Sequence, residues 1–210
     1  MSTNQHWDTA YTARDAKALT WFEETPEASL RLVRQMMPAG GALVDIGGGS
    51  SALVDHCLDT GIGPVTVLDL SAEALAITKA RLGDRADEVS LVVGDVRDWQ
   101  PDRLYDLWHD RAAFHFLTDI KDRRSYLRTL DAALRPGGVA IISTFASTGP
   151  ATCSGLPVQR YAPSELNEMF ANLAPGLLVP LHSELLAHRT PKGAVQDFQI
   201  SVFQKKETTR

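Results

Sequence analysis

Two rhythms of apolar and polar positions alternate along this chain. ALVDIG (42–47), VTVLDL (65–70) and VSLVVGDV (89–96) are apolar almost throughout, as strands are when helices cover both faces of their sheet. The first two lead into SSALVDHCLDTG and SAEALAITKARLG, and the third into a short polar stretch, a βαβαβ order that predicts a mostly parallel sheet. YDLWH (105–109) reads as a fourth strand and VAIISTFA (139–146) as a fifth. Between them DRRSYLRTLDAALRPGG (122–138) reads as a helix with Leu127, Leu130 and Leu134 on one face, stopped by Pro136-Gly137-Gly138. An irregular run to about Tyr161 precedes a helix over PSELNEMFANLA (163–174). Two strand-like runs, LLVPLHSELLAHR and AVQDFQISVFQ, then flank Thr190-Pro191-Lys192-Gly193, which predicts an antiparallel hairpin. With no repeat, linker or low-complexity segment, the expectation is one domain over 1–210. Residues 1–40 form a helical, aromatic-bearing extension (Trp7, Tyr11, Trp21, Phe22), and 41–210 form a Rossmann-like core.

Composition narrows the class. At 210 residues and 44% hydrophobic the chain can bury a sizeable core, and no apolar run approaches the length a membrane span needs. The N-terminal stretch has no basic, apolar and small-residue succession of a secretory signal, so a cytoplasmic location is expected. Cys57 and Cys153 are too few for a disulfide framework and form no CxxC, so reduced thiols and no metal are expected. A net charge of -5 argues against nucleic acid as a partner.

The chemistry centres on DIGGGSS (45–51), a glycine loop between a strand and a helix, where the backbone can approach a ligand closely. Gly47-x-Gly49-x-x-Ala52, with Asp69 beyond it, nominally satisfies the dinucleotide fingerprint. Three features point elsewhere. Asp45 stands where a carboxylate would repel a pyrophosphate but receive a cation. Asp95 adds an acceptor suited to an exocyclic adenine amine. The terminal hairpin departs from the dinucleotide architecture. A ligand with an adenine, a ribose and a cationic amino-acid tail, and no phosphate, fits all three.

From Pro38 onward the chain resembles the class I S-adenosylmethionine-dependent methyltransferases, through VDIGGGSS, Asp69 in VLDLS, Asp95 in GDV, and LRPGG before a strand. The resemblance implies an α/β, doubly wound sheet of seven strands in the order 3-2-1-4-5-7-6, strand 7 antiparallel, and S-adenosyl-L-methionine as cofactor. It also implies that Gly47 and Gly49 line the methionine part, Asp69 holds both ribose hydroxyls, and Leu70 and Val96 sandwich the adenine. Ser51 stands where the family often has a final glycine.

Methyl transfer from a sulfonium is an in-line displacement, so a general base is optional. The acceptor side is placed at the C-terminal edge of the sheet. His109 and Asp110 are expected to face the methyl, with Arg111 orienting an acceptor or anchoring Asp110. His115, Cys153, Arg160, Tyr161 and His188 are candidate acceptor-binding residues, and Trp21 a cofactor contact carried by an N-terminal lid. His109 and His115 lack a metal-ligand spacing. WHDRAAF replaces the Asn/Asp-Pro-Pro-Tyr type motif of enzymes that methylate exocyclic amines of DNA bases or glutamine, and no added recognition domain or basic tail is expected. These points favour a small-molecule acceptor such as a thiol or another soft nucleophile. Asp110-Arg111-Ala112 and Trp21-Phe22 partly match a branch that methylates protein lysines, the alternative acceptor. A non-catalytic cofactor-binding regulator is the alternative from another class.

Overall fold

The computed structural model describes residues 3–13 and 18–207. Helices α1 (Thr3–Thr12) and α2 (Glu27–Met36) precede strand β1 (Leu43–Ile46), followed by α3 (Leu53–Asp59), β2 (Val65–Asp69), α4 (Ala72–Leu82) and β3 (Val89–Val93). Then come β4 (Tyr105–Arg111), α5 (Ile120–Ala133), β5 (Leu134–Phe145), a two-strand hairpin β6 (Thr152–Cys153) and β7 (Leu156–Pro157), α6 (Pro163–Leu173), β8 (Leu178–Arg189) and β9 (Val195–Lys205). The seven-stranded sheet runs β3-β2-β1-β4-β5-β9-β8. Strands β1 to β5 pair in parallel, and β9 enters antiparallel between β5 and β8. This is the Rossmann-like order implied by the resemblance, with its antiparallel strand inserted by the terminal hairpin. Among the described residues no helix is long and apolar enough to cross a membrane.

Successive side chains on a strand face opposite sides of a sheet, and that alternation organises the core. Leu43, Leu107 and Ile141 pack under α2, α3 and α4 with Leu30, Leu53 and Leu75. Val44, Trp108 and Ile142 pack on the other face with Tyr126 and Leu130 of α5 and Phe170 of α6. Central strands β1 and β2 are buried along their whole length, which explains their unbroken apolar runs.

Helix α5 ends at Ala133 rather than running to Gly138. Arg135 precedes a proline, which biases it toward extended backbone, and the chain is already in β5 from Leu134. Leu134 is buried, as its helical assignment required, but as the first residue of a strand. The irregular run after β5 contains the β6–β7 hairpin, turned by Ser154 and Gly155 at φ +50° and +78°.

Candidate functional site

Parallel strands β1 to β4 end at one edge of the sheet, where open α/β sheets bind ligands. The loop leaving β1 must lie close to its neighbours, and its glycines permit this. Gly47 sits at φ +65°, and a Cβ there would lie 2.8 Å from the Cβ of Ala113. Gly49 sits at φ +42°, and its Cβ would meet both Asp69 Oδ2 and Tyr11 Oη at 2.8 Å. Changing Gly47 to valine should therefore lower stability by about 2 kcal/mol from backbone strain alone, more from the clash, measured as the midpoint of chemical unfolding.

A cavity of about 370 Å³ follows this edge. The strand order lays out its walls: Asp95 and Val96 after β3, Asp69 and Leu70 after β2, Asp45 and Gly47 at β1, then His109 and Arg111 on β4. Trp7, Trp21, Phe22, Phe116 and Cys153 surround the far end. Helix α1 forms part of this wall because Ser71, the cap of α4, donates to Asp8 at 2.7 Å and Trp7 meets Trp21 and Phe116 edge-on.

The carboxylates are held in different states. Burial pushes Asp69 up to about 7; the Ser71 N–H, 2.8 Å away, works against that, and the neighbouring Asp45 and Asp8 charges add to it. Asp95 is pushed up by burial, but hydrogen bonds from Arg97 outweigh this and hold it below the usual carboxylate range. Arg97 also reaches Asp122, at 2.9 Å, in the first turn of α5. Asp45 contacts His109 Nδ1 at 2.7 Å, and His109 Nε2 meets Ser29 Oγ of α2 at 2.9 Å.

Several sequence expectations are corrected here. Asp110 does not face the methyl site: being one residue from His109, it points to the opposite face of the sheet. It is fully buried there, accepting hydrogen bonds from the N–H groups of Ala113 and Phe114 and from the Tyr126 hydroxyl. Arg111 does not anchor Asp110; it binds the Trp21 carbonyl and Glu23, both at 3.0 Å, on the cavity side. His109 lines the cavity, but both ring nitrogens are engaged. His115 is fully buried beside Phe145, whose N–H it accepts at Nδ1, and burial drops it to about 3. Arg160 donates to the Gly149 carbonyl and Tyr161 packs near Phe114; neither lines the cavity. His188 also stands outside it, bonded to Glu23 and to the Thr20 carbonyl. Cys153 does line the cavity, its thiol pushed up to about 11 by burial although Arg111 pulls it down.

Asp8, Glu23, Ser29, Arg97 and Asp122 belong to the site or support it although no motif singles them out in the sequence. Arg97, two residues from Asp95, had a local signal. Ser29 and Glu23 had none, since their partners lie 80 and 165 residues away.

A family model described as a methyltransferase domain matches residues 43–138, from β1 through the turn that opens β5. A malonyl-[acyl-carrier protein] O-methyltransferase of Priestia megaterium is 28% identical over 137 residues, covering 64% of this chain and 47% of the relative. The chain spans 30% to 47% of the length of the curated relatives it matches. A solved structure from work on conversion of a disulfide bond into a thioacetal group during echinomycin biosynthesis superposes with a TM-score of 0.79 at 19% identity, covering 99% of this chain and 93% of the other. The 1,6-didemethyltoxoflavin-N1-methyltransferase of Burkholderia thailandensis, solved with bound 1,6-didemethyltoxoflavin and S-adenosylhomocysteine, superposes with a TM-score of 0.69 at 22% identity, covering 99% and 92%. Domain match, strand order and glycine loop with its acids agree: residues 43–138 match a methyltransferase domain, and the fold is that of the S-adenosylmethionine-dependent methyltransferases.

Proposed function

We propose that this site transfers a methyl group from S-adenosylmethionine to a small-molecule acceptor enclosed beneath the N-terminal aromatic residues. The observation that carries this reading is the row of Asp95, Asp69 and Asp45 around a glycine loop in one cavity. Three carboxylates would repel a pyrophosphate, whereas they suit an adenine amine, a ribose diol and a cationic amino-acid tail. The glycine cradle fits the same ligand, because a Cβ at Gly49 would fill the space between Asp69 and Tyr11. Asp69 would hold the ribose, Asp95 the adenine amine between Leu70 and Val96, and Asp45 with Gly47 the amino-acid part. The cofactor supplies a methyl group activated on a sulfonium.

The chain's own contribution is placement and exclusion of water. Around the far end, Trp7, Trp21, Phe22 and Phe116 offer apolar surface, and Arg111 is the neighbouring cation. Among the described residues lining the cavity the obvious bases are committed: His109 to Asp45 and Ser29, Glu23 to Arg111 and His188, Asp95 to Arg97. The Cys153 thiol, pushed up by burial, gives no thiolate at neutral pH. The acceptor therefore brings a lone pair ready for attack, as a thiolate or another soft nucleophile does. The names of the relatives cover both O- and N-methylation, so similarity does not choose the acceptor atom.

The test is methyl-labelled S-adenosylmethionine offered to the purified protein with a panel of small thiols, amines and carboxylic acids, beside a cell extract. Labelled small products are expected. Label confined to protein lysines would replace this reading by the lysine alternative, and tight cofactor binding with no product anywhere would leave a regulator.

A further inference from the structure

Among the described residues at the acceptor end of the cavity, Arg111 is the one with a permanent positive charge. It ends β4, and the 18% of its side chain that stays exposed lies in the cavity wall. Nη1 donates to the Trp21 carbonyl at 3.0 Å, and the guanidinium stands over the Phe198 ring, 5.6 Å from its centroid. Nη2 is 3.0 Å from Glu23 Oε1, yet it is buried without an aligned hydrogen bond to any partner. The titratable groups around Arg111 are Glu23 from the segment before α2, His109 two residues back on β4, His115 just beyond β4 and Cys153 on β6. His188 of β8 stands behind Glu23. Burial drops His115 to about 3 and pushes Cys153 up to about 11, so both are neutral at neutral pH. Burial also works to protonate Glu23, but the His188 hydrogen bond and the Arg111 charge hold it below its ordinary range, so it is the anion that opposes Arg111.

The rest of this end is aromatic. Trp7 stands edge-on to Trp21 at 5.9 Å and to Phe116 at 5.0 Å between centroids, a wall that suits a flat ring packed offset or edge-on. Arg111 offers such a ligand charge rather than a fork. A carboxylate is best matched by two parallel N–H groups, but here one arm is bound to a carbonyl and the other faces Glu23. A thiolate is larger and less strongly hydrated, so it enters an apolar site at smaller cost and needs only a nearby charge. An amine presents its lone pair only when neutral, and a fixed cation then contributes nothing to holding it.

We propose that the acceptor is a small aromatic thiol bound as its thiolate, with its ring among Trp7, Trp21 and Phe116 and its sulfur beside Arg111. This deepens the methyltransferase reading and rests on it. The thiol proton leaves to solvent when the acceptor binds. In the transfer, a lone pair of the thiolate forms the bond to the methyl carbon, the bond from that carbon to the sulfonium breaks, and its electron pair stays on the cofactor sulfur. An anion and a cation become two thioethers, and no proton moves in that step. Arg111 thereby selects acceptors by acidity. A ring conjugated with sulfur spreads the charge and brings ionisation toward neutrality, whereas an ordinary alkyl thiol such as cysteine ionises at about 8.5.

The probe is thiophenol, and its control is methyl phenyl thioether, the same ring with no proton to lose. Affinity for each is measured by calorimetry from about pH 5 to about pH 9 on the full chain saturated with S-adenosylhomocysteine, where no transfer can occur. The ratio of the two affinities cancels background titration of the protein. It should rise close to tenfold per pH unit up to the ionisation of free thiophenol and level off above it. A site for the neutral thiol gives a ratio that is flat and then falls. Arg111→Met should abolish the rise and Arg111→Lys should keep it, whereas a purely structural Arg111 would weaken both probes together in both variants. Glu23→Gln removes the opposing charge and should lift the plateau about tenfold. The pH series on the unmodified protein decides even where a variant does not fold. With methyl-labelled S-adenosylmethionine at neutral pH, kcat/KM should favour thiophenol over phenylmethanethiol by about tenfold or more, because its larger thiolate fraction outweighs its lower nucleophilicity. A flat or falling ratio, or no thiophenol binding, would overturn the thiolate acceptor while transfer to another acceptor kept the methyltransferase reading. Thiolate binding with no transfer to any acceptor would overturn that reading and leave the anion site at Arg111 standing.

Discussion

Replacing Asp69 by alanine is expected to weaken binding of S-adenosylmethionine at least about a hundredfold. Two hydroxyls donating to a buried carboxylate contribute about 1.5 to 3 kcal/mol each, and every 1.4 kcal/mol is about a factor of ten. The side chain ends β2, has one oxygen fixed by the Ser71 N–H at 2.8 Å and is almost wholly buried, so water cannot substitute easily. pH gives a sharper form of the same test. With its carboxyl raised to about 7, Asp69 is partly protonated at neutral pH in the ligand-free protein. Ribose hydroxyls favour the ionised form, so binding expels that proton, and affinity should fall by close to tenfold for each pH unit below about 7. The ligand-free protein carries the opposite slope. A folded-state value raised above the unfolded one means that this group's contribution to stability is complete below about pH 4 and is lost as pH rises through about 7. Calorimetric titration across this range checks both points. Affinity that does not change with pH in the unmodified protein, or is unaltered in Asp69→Ala, would remove Asp69 from the ribose site.

What was legible in the sequence was whatever depends on neighbours along the chain. Alternating strands and helices, the glycine loop and the acids that end β1, β2 and β3 all read directly, because each is written within about ten residues. The terminal hairpin reads from its Pro/Gly turn, whereas the strand order with the last strand inserted antiparallel is implied by the family resemblance alone. The acceptor side is less legible, for two separate reasons. Asp110 follows His109 directly, but adjacent residues on a strand face opposite sides, so only one of the two can face the methyl. The roles of His109 and His188 are not recoverable from the sequence, because they depend on Ser29 in α2 and Glu23 just before it, brought near only by the fold. Asp95 shows the intermediate case: its position and its partner Arg97, two residues on, are legible, but the further bond from Arg97 to Asp122 depends on where the fold brings the first turn of α5.

Asp110→Ala should be among the most destabilising single changes in the core, with little bearing on chemistry at the methyl. The carboxylate accepts the Ala113 N–H at 2.9 Å, the Phe114 N–H at 3.1 Å and the Tyr126 hydroxyl at 2.7 Å, and Tyr126 in turn accepts from Trp108 Nε1 at 2.8 Å. Alanine leaves three buried donors without a partner, each costing about 1 to 3 kcal/mol, against which some desolvation of the carboxyl is recovered. A net loss of about 3 to 5 kcal/mol follows, a fall in Tm of roughly 10 °C for a chain of this size. Asp110→Asn keeps an oxygen for the two N–H groups and should lose about half as much or less. It should also flatten the pH dependence of stability. Burial raises Asp110 to about 6, with the Tyr126 hydroxyl and the two N–H groups opposing, so its contribution is complete below about pH 4 and fades as pH rises through about 6. A group acting at the transferred methyl would behave in the reverse way. Asn would then preserve Tm and the pH slope while cutting kcat by about two to four orders of magnitude, the loss expected for a general base. Thermal unfolding and turnover of Asp110→Asn, measured on the same preparation, decide between a side chain that holds β4 to α5 and one that touches the acceptor.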